Sequence, residues 1–242
     1  MNNNWKEIFN VQEKGKKLPQ SFIEEGKTIL GILLTNYPKR LDGKESIIEM
    51  KNKNSKNWRQ MEWMGWYFEE KSREILFEKL GGTIGPKFGN TEFDYSLDYV
   101  WDFKVHTLNE NCSNWMILND SEAIECAIET HNIIGYCICE GNVEYDDENQ
   151  SFKKWHDNLK DKISNYEKTR IQRGAPSRKR KVAVNINNFL LFGLPSLDDI
   201  ERGIKENWIK GFQLNFRNAD GSPRRNKFQI DVKNIPIEYI IP

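Results

Sequence analysis

The chain has 242 residues, of which 38% are hydrophobic and 30% charged, and its 36 basic and 36 acidic side chains give a net charge of zero. This length fits one globular domain with a substantial core, and the balanced charge excludes a global basic field, so any nucleic-acid binding must use local patches. No apolar run reaches the roughly 18 residues of a membrane-spanning helix, and the N-terminal MNNNWKEIFN lacks a signal-peptide core, so we expect a cytoplasmic protein without a membrane partner.

The apolar spacing predicts one helix over residues 21–34 and a stronger helix over residues 57–80, which ends at Gly81-Gly82. Glu62 and Glu69 lie on one stripe of the second helix, whose residues recur at spacings of three and four. Carboxylates on a packed helix face are rare unless they are paired or bind a metal. The alternative is that these glutamates lie at the edge of a different core face, formed by Met61, Met64, Phe68 and Ile75.

Residues 92–107, EFDYSLDYVWDFKVHT, alternate polar and apolar side chains on both sides of a turn near Asp98. Since side chains switch faces with a period of two, this pattern predicts a β-hairpin. A hairpin centred on Asp98 brings Asp94 opposite Asp102, with Lys104 one pleat further along and His106 on the same face. Two carboxylates and an ammonium then converge, and carboxylates with water suit Mg²⁺. The alternative is a solvated hairpin face that carries a salt bridge.

Three further elements follow the hairpin. We expect a short strand or linker over residues 114–119, a helix from its cap at Ser121 to about His131, and a buried strand over residues 133–139. Cys137 and Cys139 alternate within that strand, and the spacing of the four cysteines does not fit a zinc finger, which favours buried free thiols.

The C-terminal third combines a helix predicted over residues 151–170 with strands over 182–191, 211–216 and 227–232, and a helix from Ser196 toward Trp208. Two loops of this third are basic. The first is poor in Asn and is expected to contact DNA phosphates, whereas the second combines Arg with Asn and is expected to contact base edges. The candidate DNA-binding residues are Arg170, Arg173, Arg178, Arg180 and Lys181 in the first, and Arg217, Asn218, Arg224, Arg225 and Lys227 in the second.

The residues Asp94 and Asp102-Phe103-Lys104 resemble the motif of the PD-(D/E)xK nuclease superfamily, although Phe93 replaces its variable proline. The resemblance covers about residues 58–140 and implies an α/β (α+β) fold, with an αβββαβ core whose mixed central sheet is flanked by helices. It also implies that a helix before the first motif strand supplies a glutamate, for which Glu69 is preferred and Glu62 is the alternative. We therefore expect an N-terminal segment (1–56), a nuclease core (57–140), and C-terminal helices with a basic hairpin (141–242) packed on the same domain.

The whole pattern is most similar to a type II restriction endonuclease of a prokaryotic restriction-modification system. The implied activity is Mg²⁺-dependent, site-specific hydrolysis of double-stranded DNA by a homodimer, with Mn²⁺ as a possible substitute for Mg²⁺. In this interpretation Asp94 and Asp102 bind the metal, Glu69 assists, and Lys104 positions or activates water. One alternative is a repair nuclease or junction resolvase of the same fold. Another is a DNA-binding protein without catalysis, in which these residues form a salt-bridged surface.

Overall fold

A five-stranded mixed sheet forms the centre of the computed structural model, which describes residues 17–109, 112–161, 165–217 and 221–242. In these ranges the chain is mixed α/β and forms seven α-helices and ten strands. The helices are α1 (Gln20–Asn36), α2 (Gly43–Asn52), α3 (Trp63–Lys79), α4 (Ser121–His131), α5 (Ser151–Leu159), α6 (Asn165–Gln172) and α7 (Leu197–Lys205). The strands are β1 (Arg40–Asp42), β2 (Lys87–Phe88), β3 (Thr91–Glu92), β4 (Tyr95–Ser96), β5 (Val100–Thr107), β6 (Trp115–Asp120), β7 (Ile134–Tyr145), β8 (Lys181–Leu194), β9 (Ile209–Phe212) and β10 (Lys227–Asp231).

The central sheet has the strand order β1-β8-β7-β5-β4, in which β5 and β7 are parallel and the other neighbours are antiparallel. Helix α4 lies between β5 and β7 in sequence, as expected for the crossover that a parallel pair requires. Residue 140 lies inside β7, and β1 comes from the first 56 residues, so the central sheet draws strands from all three expected segments. A smaller sheet, β6-β10-β9, is antiparallel throughout.

The hydrophobic residues of the central sheet belong to two core clusters, in agreement with the alternation of side chains along strands that are buried on both faces. Trp101 and Phe103 of β5 join the cluster that contains residues of α1, α2 and α3. Val100 joins the other cluster, with residues of α4, α7 and the smaller sheet. The predicted thiols of β7, Cys137 and Cys139, are buried and free.

Several predicted elements are present with different bounds. The helix predicted over 57–80 begins at Trp63, after a 3₁₀ turn at Asn57–Arg59, and its C-terminus is closed as expected, with the Gly81 amide bonded to the Leu76 carbonyl at 3.1 Å. The single helix predicted over 151–170 is wrong, because α5 ends at Leu159 and the chain adopts a left-handed conformation at Asp161 (φ 59°). Ser196 caps α7 as predicted, whereas the residue at the N-cap of α4 is Asp120 rather than Ser121.

The hairpin turns near Asp98 with the predicted register, since Tyr95 pairs with Trp101 and Ser96 with Val100. The regular alternation predicted for residues 92–97 is wrong, however. The strand is interrupted between β3 and β4, and Phe93 belongs to one core cluster while Tyr95 belongs to the other. In the described ranges, no helix combines the length and the apolar character that crossing a membrane would require.

Candidate active site

Asp94 lies immediately before β4, at the edge of the central sheet. Only Tyr95 and Ser96 of β4 pair with β5. The Phe103 amide of β5 therefore has no backbone partner on β4, and it donates a hydrogen bond to Oδ2 of Asp94 at 2.7 Å. The Asp94 amide in turn donates to the Trp101 carbonyl at 3.1 Å. The carboxylate is therefore fixed by backbone contacts on β5, and only 6% of the residue is exposed.

Asp102 is 2% exposed and contacts two polar side chains. Its Oδ2 accepts from the Lys104 ammonium, and its Oδ1 accepts from Nδ2 of Asn119 at 2.6 Å. Asp102 and Lys104 are two residues apart on β5, so they project from the same face of the strand. Burial of both aspartates contradicts a solvated hairpin face, although the expected ion pair between Asp102 and Lys104 is present.

Glu69 of α3 is half-buried and interacts electrostatically with Asp94 and Lys104. Burial, followed by repulsion from Asp94, raises the pKa of Glu69 to about 8. Burial also raises the pKa of Asp94 and lowers that of Lys104. All three shifts disfavour the charged form, as expected where the ionisable groups are poorly solvated. Arg73, one turn after Glu69 on α3, contributes a favourable charge to both carboxylates.

Glu62, the alternative to Glu69, is exposed at the N-terminus of α3. Its carboxylate forms an ion pair with Lys181 at 3.2 Å. The two glutamates are separated by about two helical turns. The structure thus groups Glu69 with Asp94 and with Lys104, the partner of Asp102, and places Glu62 at a different contact.

The oxygen acceptors of this site suit a hydrated divalent cation. Oδ1 of Asn119 is buried, and in the part of the chain that the structure describes it has no hydrogen-bond partner. An oxygen acceptor of this kind beside Asp102 is suited to contact a hard cation directly or through a water bound to it. Among the described residues no three His, Cys, Asp or Glu side chains are close enough to form a metal site by themselves. A cation bound here would therefore need water or substrate oxygens for its remaining ligands.

His106 continues the face of Asp102 and Lys104, but both of its ring nitrogens contact protein groups. Nε2 donates to the Ser113 carbonyl at 3.1 Å, and Nδ1 lies 3.4 Å from Oε1 of Glu140. The hydrogen bond to Glu140 raises the pKa of His106. These contacts give His106 a structural role between β5, β7 and the segment before β6.

The residues of the first basic loop have different environments. Arg170 forms a two-point ion pair with Glu167, and Lys181 pairs with Glu62. Arg173 and Arg178 are exposed, as a contact with a DNA backbone requires. Arg180 is only 7% exposed, which is not expected for a residue of a solvated loop.

The second basic segment approaches the candidate site through Asp120, which directly follows Asn119. Lys227 lies 3.0 Å from Oδ1 of Asp120, and Arg225 lies 3.5 Å from Oδ2. Arg224 is exposed, and exposed Arg217 donates to the Gly221 carbonyl at 2.8 Å. Asn218 lies outside the described residues. The predicted hairpin is present as β9 and β10, although β9 ends at Phe212.

Three residues at or near the site did not emerge from the sequence. Asn119 had a detectable signal, because a polar residue ends an otherwise apolar strand, but a single Asn is a weak one. Arg73 follows Glu69 by four residues, a spacing that many surface helices share. Glu25 supports the hairpin from α1 and accepts bonds from the Asp98 amide (3.1 Å) and the Trp101 indole (2.8 Å). Its partners are more than 70 residues away in sequence.

No family model matches this chain, and no curated protein or solved structure is significantly similar to it. Function is therefore inferred from the chemistry and arrangement of the residues described above.

Proposed function

We propose that this protein is a Mg²⁺-dependent endonuclease that hydrolyses phosphodiester bonds of double-stranded DNA, most similar in design to a type II restriction endonuclease. The observation that carries the proposal is the position of Lys104, which pairs with Asp102 and interacts electrostatically with Asp94 and Glu69. Asp102 also contacts Asn119, whose buried oxygen has no hydrogen-bond partner in the described part of the chain. Buried carboxylates are costly unless a cation compensates them. A metal-dependent site explains why this part of the fold retains two buried aspartates and the half-buried Glu69.

Each residue has a definite task in this proposal. Asp94 and Asp102 hold the metal, Glu69 assists them, and Asn119 orients Asp102. When bound, Mg²⁺ lowers the pKa of a coordinated water and offsets charge on the phosphate. Lys104 orients the attacking water as an ammonium, or takes a proton from that water as the neutral amine, a form that its lowered pKa favours. Arg73 is close enough to influence Glu69 and Asp94, and it would add positive charge for a phosphate bound at this site.

The order of elements supports the same proposal. Helix α3 precedes a hairpin that carries the Asp and Asp-Phe-Lys positions, and a crossover helix then leads to a parallel strand. Five strands lie between α3 and α4, and only β4 and β5 of these belong to the central sheet, so the order resembles the αβββαβ core of the PD-(D/E)xK superfamily only in part. In the proposed core, Glu69 would be supplied by the helix before the hairpin. Fold order alone is an analogy, so the contacts at the site carry more weight.

Two alternatives differ in what they predict. A repair nuclease or junction resolvase would cut without a defined sequence, whereas a restriction enzyme would produce discrete fragments. A neighbouring gene for a DNA methyltransferase would also favour restriction. A binding protein without catalysis would leave DNA intact. Burial of Asp94 and Asp102 favours a catalytic site over the salt-bridged surface that this last alternative requires.

The proposal is tested by incubating the purified protein with supercoiled plasmid in the presence of Mg²⁺, Mn²⁺ or EDTA. We expect linear or nicked product with either metal and none with EDTA, and sequencing of the product ends should show one recurrent site. Intact plasmid under all metal conditions, despite measurable DNA binding, would instead support a binding protein. Cutting at random positions would support the repair or resolvase alternative.

A further inference from the structure

A cavity of about 1150 Å³ lies between the 3₁₀ turn at Asn57–Arg59, helices α5 and α6, and the loop that precedes β8. Its lining includes six basic and three acidic side chains, together with apolar side chains such as Met61, Ile171 and Pro176. The volume is sufficient for a nucleotide-sized ligand. None of the residues of the candidate active site lines this cavity.

Arg180 is the most unusual residue of the lining. It is 7% exposed, and in the described ranges its Nε and Nη1 groups have no hydrogen-bond partner. A guanidinium carries five donors and remains charged at all relevant pH values, so burial without partners is costly. A buried group of this kind is most simply explained by a ligand that accepts its hydrogen bonds.

Two of the three acidic residues of the cavity, Asp157 and Glu167, contact other basic side chains. Asp157 contacts Lys153 at 3.0 Å and Lys160 at 3.6 Å, and Glu167 contacts Arg170 at 2.7 Å. Burial lowers the pKa of Lys160, and the charge of Arg180 adds to this effect. The cavity therefore has an excess of positive charge around Arg180, to which the exposed Arg178 also contributes.

We propose that this cavity binds the phosphomonoester group of a nucleotide, with the phosphate against Arg180 and the more apolar part of the ligand against Met61 and Ile171. A phosphomonoester carries about −1.5 to −2 charges at pH 7 and presents the acceptors that a guanidinium matches best. The nucleotide is either a free mononucleotide or the 5′-phosphorylated end of a DNA strand. This site is separate from the proposed cleavage site and does not depend on catalysis.

The proposal is tested by calorimetry and thermal unfolding of the full chain without Mg²⁺, with inorganic phosphate, adenosine monophosphate, or a single-stranded oligonucleotide with and without its 5′-phosphate. We expect the phosphorylated probes to bind and to raise the Tm. A response to the mononucleotide identifies a free nucleotide as a ligand, whereas a response restricted to the 5′-phosphorylated oligonucleotide identifies a strand end. No response to any phosphorylated probe overturns the proposal.

The matched variants are Arg180→Met and Lys179→Met, which remove adjacent positive charges, one buried in the cavity and one exposed. Arg180→Met should weaken phosphate binding by about 10- to 100-fold, the loss expected for charge-assisted hydrogen bonds, and should raise the Tm of the ligand-free protein. Lys179→Met should leave both phosphate binding and the Tm of the ligand-free protein unchanged. If Arg180→Met does not fold, Arg178→Met, which changes an exposed residue of the same lining, should weaken binding. If Lys179→Met weakens phosphate binding as much as Arg180→Met does, or as much as Arg178→Met where that variant replaces it, the proposal is overturned.

Discussion

The Phe103 amide donates a hydrogen bond to Oδ2 of Asp94 at 2.7 Å, where β4 no longer pairs with β5. A side chain thus replaces the backbone partner that a longer β4 would have supplied. The same contact fixes the orientation of a carboxylate that we expect to bind metal. Asp94 therefore has both a structural role and a proposed role in metal binding, and different substitutions of Asp94 should separate the two roles.

Asp94→Asn should keep an acceptor for the Phe103 amide and preserve the fold, but should reduce cleavage by about 100-fold or more, since each 1.4 kcal/mol of lost transition-state stabilisation is tenfold. Asp94→Ala should also lower the free energy of unfolding by about 1–3 kcal/mol, because it leaves a buried amide unpaired. Urea unfolding beside single-turnover cleavage checks both effects. Equal stability of the Ala and Asn variants would show that the contact with Phe103 is energetically unimportant.

Asn119→Ala should weaken metal binding by about 10- to 100-fold, as is typical when a group that orients a metal ligand is removed. The physical reason is that Asp102 loses its 2.6 Å contact with Asn119 and the site loses a buried oxygen. Titration calorimetry with Mg²⁺ and Ca²⁺ measures the change. Asn114→Ala is the control, because Asn114 directly precedes β6 at the end opposite to Asn119. This variant should bind metal like the unsubstituted protein.

Glu69 should make stability and metal binding depend on pH. Its folded pKa of about 8 lies above its ordinary value near 4.5, so between these values the folded state holds more protons than the unfolded state. The free energy of unfolding should therefore fall as the pH rises through this range. Glu69→Gln should reduce that slope, which urea unfolding at a series of pH values would show.

Metal binding gives the complementary result. Because a bound cation favours the ionised carboxylate, adding Mg²⁺ at pH 7 should release protons in the unsubstituted protein and fewer in Glu69→Gln. Calorimetry in buffers of different ionisation enthalpy counts these protons. An identical count in both proteins would remove Glu69 from the metal site.

The second basic segment should contribute to sequence recognition. Arg224 is exposed, so Arg224→Ala should weaken binding to the cognate site by roughly 1–3 kcal/mol per lost bidentate base contact and have little effect on a scrambled duplex. Arg178→Ala, in the first basic loop, should weaken binding to both duplexes and flatten the salt dependence. Binding is measured with Ca²⁺ in place of Mg²⁺. Equal losses on both duplexes for Arg224→Ala would mean that it contacts phosphate.

The hairpin could be predicted because its information is local. The alternation of polar and apolar side chains identifies the return strand. The turn near Asp98 fixes the register that brings the Asp94 side chain to the Phe103 amide. The interruption at Phe93 could not be predicted, because it depends on a distant core cluster into which Phe93 packs. The same is true of Asn119, whose contact with Asp102 requires β6 to lie beside the hairpin.

The basic loops show a different limit. Sequence identifies the clustered charge, but it does not distinguish an exposed arginine from a buried one. Arg178 and Arg180 are two residues apart, yet the first is exposed and the second is enclosed by α5, α6 and the 3₁₀ turn. That difference arises from tertiary packing, in which the 3₁₀ turn is more than 100 residues from Arg180 in sequence.

We propose that Asp102 and Lys104 are required for metal-dependent hydrolysis of DNA. The most direct test of this proposal is the Mg²⁺-dependent rate of plasmid cleavage for the unsubstituted protein and for Asp102→Asn, Lys104→Met and Asp98→Asn, with circular dichroism to establish folding. Asp98→Asn is the matched control, because Asp98 is an exposed residue at the turn of the same hairpin. We predict losses of about 10²–10⁴-fold for Asp102→Asn and Lys104→Met, in the range of a catalytic proton-transfer group, and an unchanged rate for Asp98→Asn. Full activity in either site variant would contradict the assignment.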